Sequence, residues 1–256
     1  MTKRNGLLRL AIVSALLCAG AGMMPGYAKA LSSTTVEITT DTSGDQYGGN
    51  AGSSGDATYN TLTISGAASV SYSNGYADVY GGYTASGNVN ENVLKVTTTG
   101  TIYGNAYGGY TRNGDANTNK INFSNGKIYN ILYGGRTEKG AANTNAITIS
   151  GGKMYSSVYS GYSGNGNVTG NTVTISGGTI GGYVYGGYAI KGNATSNAIT
   201  FEGGTLSSSL IGGYAGNTGN AERNKVKISG GTISGAYPHV YGGQADSGIA
   251  NLNEVE

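Results

Sequence analysis

Tyrosine is the residue type through which this chain could do chemistry. Of 21 tyrosines, Tyr80, Tyr107, Tyr133, Tyr159, Tyr185 and Tyr241 fall in one column of a repeating pattern. Tyr83, Tyr110, Tyr162, Tyr188 and Tyr214 fall in a second column, three residues on. A phenol offers an apolar plane with a polar tip, so a stripe of them suits adhesion to a sugar or a protein surface. Tyr107, Tyr133, Tyr159 and Tyr185 form the candidate binding stripe. The plainer reading is a structural ladder of ring on ring, with Ile211 standing in the first column because packing tolerates it. Strict alternation from Val184 would expose Tyr185 and bury Tyr188, whereas a corner at the intervening glycines would turn Tyr188 outward.

Acid–base chemistry on a repeat scaffold needs carboxylates in successive copies of one column, about 5–9.5 Å apart for glycoside chemistry. The repeat shows none. Asp56 and Asp115 share a Gly-Asp-Ala turn, but Asn88 stands between them, and Glu138, Glu202 and Glu222 occupy unrelated positions. His239 is the only histidine, too few for a His-based metal cluster, and beside Pro238 it reads as a loop histidine rather than the base of a triad. Calcium-binding Gly-Gly-x-Gly-x-Asp nonapeptides are also missing. The expectation is a segment with no catalytic residue, no metal and no cofactor.

What must position the tyrosines is a tandem repeat. Tyr107, Tyr133, Tyr159, Tyr185 and Ile211 each stand 26 residues apart and each opens the same phrase, in which a glycine follows two places later. Asn119, Asn145, Asn171, Asn197 and Asn224 keep step with steps of 26, 26, 26 and 27. The run from Asn171 reads NTVTISGGTI, then VYGGY from Val184 and a Gly-Asn turn at Gly192. After each asparagine, residues alternate: Ile147 and Ile149, Val173 and Ile175, Ile199 and Phe201 share one face, and Thr, Ala or Lys mostly take the other. Period two marks a half-buried strand. Ile102, Ile128, Met154 and Ile180 begin a second strand, while Ala106, Leu132, Val158 and Val184 seed a third. Three short strands and three turns in about 26 residues predict one coil of a parallel β-helix, with about eight coils in all. Asparagine would form a corner, tolerating left-handed backbone and bonding to the next asparagine in the stack.

The first 30 residues have the three parts of a secretory signal: Lys3, Arg4 and Arg9, an apolar run over 10–24, and the small-x-small site Ala28-Lys29-Ala30. Residues 31–46 lack the repeat markers and read as an N-terminal cap or lead-in strand. Residues 47–256 form the repeat domain. The closing NEVE from Asn253 opens another strand in register, so the repeat is expected to continue beyond residue 256. Cys18, the single cysteine, lies in the leader, which leaves an exported chain held together without disulfides. Four of the fifteen basic residues also lie there, leaving eleven against thirteen acids, a net charge of −2 that argues against a nucleic-acid partner.

An export signal, a cysteine-free solenoid and the wording NTVTISGGTI, VYGGY and GNA together resemble the passenger region of bacterial type V autotransporters, over nearly all of 31–256. The resemblance implies a right-handed parallel β-helix, exported and displayed at the surface of a two-membrane bacterium through an outer-membrane β-barrel. It implies a stalk or an adhesin, with a host glycan or surface protein as partner. β-helical repeats also serve as polysaccharide lyases or hydrolases and as phage or S-layer-like fibres, which stand as the alternatives.

Overall fold

The computed structural model describes residues 31–73 and 75–256, and the expected leader with its cleavage site at Ala28 and Ala30 lies outside the described residues. Every regular element described is a strand, and every strand pairs in parallel with its counterpart one coil away. One coil runs through Val168–Thr169, Thr172–Ile175, Thr179–Ile180 and Val184–Ala189. Eight such four-strand coils stack into a β-solenoid, followed by two strands of a ninth. The period near 26 is visible in the register, where Val173 pairs with Ile147 below and Ile199 above.

Each coil therefore has four strands, not the expected three. The extra one is the two-residue strand at the Gly-Asn-Ala turn, with Val168 and Ala194 buried and paired. Two residues are too few to show an alternation in sequence. Segment 31–46 is already part of the first coil, since Val36 pairs with Leu62 and Thr42 with Val70. The extra residues after the first Tyr-Gly-Gly form an excursion in which Tyr72 and Gly75 bridge antiparallel.

Inside, Val36, Ile38, Val70 and Val79 begin columns that run along the solenoid as one apolar cluster. Thr172 and Thr174 point out, as the alternation requires, while Val173 and Ile175 are fully buried. Thr111, Thr137 and Ser163 add a column of buried hydroxyls, each donating to a glycine carbonyl of the preceding coil at 2.7–2.8 Å.

The asparagine column is buried completely from Asn60 to Asn224. In the central rung the Nδ2 of Asn171 donates to Asn197 Oδ1 at 2.9 Å above and to the Ala142 carbonyl at 2.8 Å below. Its own Oδ1 accepts both the backbone N–H and the Nδ2 of Asn145, at 2.8 and 3.0 Å. Thr34 takes the asparagine's place in the first coil and donates to Asn60 Oδ1 through its N–H and hydroxyl. The left-handed backbone expected of asparagine belongs to the residue before it: Tyr59, Glu91, Thr118, Thr144, Ser196 and Arg223 have φ of 54–59°. The asparagine itself must point inward, so the reversal falls one residue earlier.

Only Gly170 is a glycine at that position, and a Cβ there would meet nothing closer than 3.9 Å. Gly187 differs, because a Cβ would fall 2.5 Å from the Asn197 amide. Gly170→Ala should therefore cost only about 1–2 kcal/mol, the left-handed penalty of an L-residue. Gly187→Ala should cost more than about 4 kcal/mol by displacing a buried amide network. Denaturant melts of the two variants check this, and equal losses would show that the asparagine column does not dictate the glycine.

Candidate functional site

The tyrosines are placed by the two glycines between them. In Val184–Ala189 the Val184 side chain faces the core and Tyr185 faces out. The ladder pairs Tyr185 with Tyr159 and Gly187 with Gly161. A Cβ on Gly186 would lie 2.3 Å from the Gly212 carbonyl, and one on Gly187 would enter the Asn197 amide. Both positions must present bare backbone inward, so the strand bends over the asparagines and Tyr188 emerges on the same outer side as Tyr185. The corner reading holds: both tyrosine columns lie outside the core. Ser160 replaces the first glycine in one coil, and its buried hydroxyl donates to the Asn145 and Thr172 carbonyls.

The candidate stripe Tyr107, Tyr133, Tyr159 and Tyr185 is brought together as one continuous stack. Successive centroids lie 5.1, 5.3 and 4.8 Å apart with planes within 17° of parallel. Tyr47 and Tyr80 extend it at 4.9 and 4.8 Å. The second column packs edge-on against the first, Tyr159 with Tyr162 at 87° and Tyr185 with Tyr188 at 88°. Offset and edge-to-face contacts are the favoured arrangements of phenol rings. Stacking covers the flat faces, so Tyr107 is only 3 % exposed and Tyr133 6 %. A stripe meant to lay its ring faces on a ligand would leave them open; here neighbouring rings occupy them.

Arg136 fills the second column where the tyrosine is missing. Its guanidinium lies 5.2 Å from the Tyr110 and Tyr133 rings and 5.4 Å from Tyr162, and it donates to the Tyr107 hydroxyl at 3.3 Å. A planar cation can continue a stack of rings. A third tyrosine column, Tyr103, Tyr129 and Tyr155, stacks at 5.3 and 4.5 Å and stays about 40 % exposed. The same 26-residue step reveals it in sequence, once counted from Ile102, Ile128 and Met154.

Asp45 and Asp78 correct the expectation that no column holds acids in successive coils. The excursion after the first Tyr-Gly-Gly offsets them by 33 residues and hides the match. Asp78 N–H donates to Asp45 Oδ1 at 2.9 Å, and the Asn105 N–H donates to Asp78 Oδ1 at 2.6 Å. Burial lifts the Asp78 carboxyl above its ordinary range, against bonds from Asn105 and the Tyr80 hydroxyl. Asp56 and Asp115 likewise accept the backbone N–H of the next coil, from Asn88 at 2.7 Å and Ala141 at 2.8 Å. Among the described residues no group of His, Cys, Asp and Glu is placed to hold a metal ion. Compared with known protein families, with curated proteins and with solved structures, the chain matches none.

Burial raises the ladder phenols far above their usual range at Tyr80, Tyr107, Tyr133, Tyr159 and Tyr185, and pushes Tyr47 up to about 12. An unfolded phenol ionises near about 10. The folded form thus keeps its protons longer, its stability is intact below pH about 10, and it is lost as pH climbs toward the ladder's own values. In an alkaline titration, phenolate absorbance of the ladder should appear together with loss of the β-sheet signal. Full ionisation near pH 10 with the sheet intact would contradict a buried ladder.

Proposed function

We propose that the chain is an exported, surface-displayed β-solenoid: a rigid stalk whose outer face carries adhesion to a host glycan or surface protein, without catalysis in this segment. One observation carries this reading. The tyrosine columns close on themselves outside the core, so each coil grips its neighbours both through the interior and through an external aromatic seam. Such a seam resists bending and slippage, which suits a spacer holding a binding region away from its base. The leader ending at Ala30 and the absence of cysteine from 31–256 agree with export. Export through an outer-membrane barrel is the route that the resemblance to type V passengers implies.

A glycan-cleaving enzyme is the second reading, favoured by the Asp45 and Asp78 pair with its raised Asp78. Both carboxylates, however, hold backbone amides of the next coil. That duty explains their burial without a substrate.

Expression of the full sequence in a two-membrane bacterium tests the display reading. The mature chain should begin at Leu31 and fractionate outside the inner membrane. A cytoplasmic protein retaining Met1 would overturn it.

A further inference from the structure

The repeat is broken twice around Ile211, and both breaks fall in one place. Ile211 stands between Tyr185 and Tyr241 in the first tyrosine column, the one rung there without a ring. The step from Ile211 to Tyr241 is also 30 residues instead of 26, the excess lying in the turn over 236–239. Ser209 occupies the row between Tyr183 and His239, its carbonyl accepting the Val184 N–H and its hydroxyl the His239 N–H. Ser209 and Ile211 are thus a low floor, 3 % and 4 % exposed, one coil high. Tyr183 and Tyr185 rise on one side of it, His239 stacked on Tyr241 on the other. The notch between them has a volume of about 310 Å³.

Its dimensions are those of a missing ring. Coils repeat at about 4.8 Å, so Tyr185 and Tyr241 stand roughly 9.6 Å apart. Rings in the ladder sit 4.8–5.3 Å from their neighbours. One flat ring inserted between Tyr185 and Tyr241 would restore that spacing on both sides. Tyr159 covers one face of Tyr185 at 4.8 Å and 4°, which leaves the other face turned to the notch.

We infer that this notch binds one ring of a neutral saccharide. The C–H faces of a pyranose suit the phenol planes above and below, and its hydroxyl rim meets neutral polar groups. Ser209, His239 and Gln244 supply these, with the Tyr214 hydroxyl, itself donating to Asp246 at 2.7 Å. Among the described residues no Lys, Arg, Asp or Glu lines the notch, so neither an anionic nor a cationic sugar has a charged partner among them. An aromatic side chain of a protein would fit the walls but make no use of the polar rim at His239 and Gln244. The volume lies at the small end of ligand sites, about 300–1,000 Å³, and fits a terminal residue better than a chain bound along its length.

The inference names a ligand class for the display reading and rests on it for its biological purpose. Binding by the soluble chain is independent of export, so either can fail alone. Saturation-transfer NMR and titration of the folded chain with maltotriose, mannotriose and a galactotriose should show saturation of at least one sugar. Ile211→Tyr, which completes the ladder, should weaken that binding at least tenfold while keeping the β-sheet spectrum. Should Ile211→Tyr fail to fold, Gln244→Ala should give the same loss. Tyr103→Ser, in the separate third column, should leave it unchanged. No saturation with any of the three sugars, or binding indifferent to Ile211→Tyr and Gln244→Ala, would overturn the inference. Binding of p-cresol, lost in Ile211→Tyr, with no sugar binding would overturn the inference and assign the notch to an aromatic side chain instead.

Discussion

The buried asparagine column is the interaction on which the other features depend. Each amide there bonds to the coil above and the coil below, so no asparagine is satisfied unless three coils are stacked. The amide needs room, and the room comes from the absence of a side chain on the facing glycine, as at Gly135 against Asn145 and Gly187 against Asn197. That bare backbone bends the strand. The bend then sends residues three apart, such as Tyr159 and Tyr162, out on the same side, where they pack edge to face. Asparagine, glycine pair and tyrosine pair are three consequences of one packing problem.

Stability in such an array belongs to neighbours, not to single coils. A coil of about 26 residues buries too few apolar side chains to offset its own ordering entropy, and it acquires partners only by stacking. The interior columns, the asparagine amides and the external rings all run along the same axis and repeat at the same spacing. They reinforce each other for that reason. The outer seam also explains a chain rich in tyrosine and without tryptophan: a single ring stacks at the coil spacing, while its hydroxyl reaches Asp78 from Tyr80, Glu138 from Tyr110 or Asp246 from Tyr214.

Much of this fold was legible in sequence because repetition converts spacing into register. The 26-residue step placed Tyr107 on Tyr133, Asn145 on Asn171 and Ile147 on Val173, as the paired strands show. Alternation also told Val173 from Thr174. Periodicity was silent where length or conformation mattered. The fourth strand is two residues long, and the left-handed reversal is carried by residues as different as Thr118, Glu91 and Arg223, which share no chemistry. Asp45 and Asp78 escaped because the excursion between them shifts the count. Ile211 was visible as an odd residue in its column, but the notch it opens depends on the longer turn of the next coil and on ring faces that no linear pattern contains.

Removing one asparagine while keeping its shape tests the central claim most directly. Asn171→Leu should fill the same space yet strip two acceptor and two donor contacts from Asn145, Asn197 and Ala142. Buried groups left unpaired cost about 1–3 kcal/mol each. In equilibrium denaturation the variant should lose more than about 3 kcal/mol relative to the parent chain. A loss below about 1 kcal/mol would mean that the apolar columns and tyrosine seam hold the coils together without the asparagines.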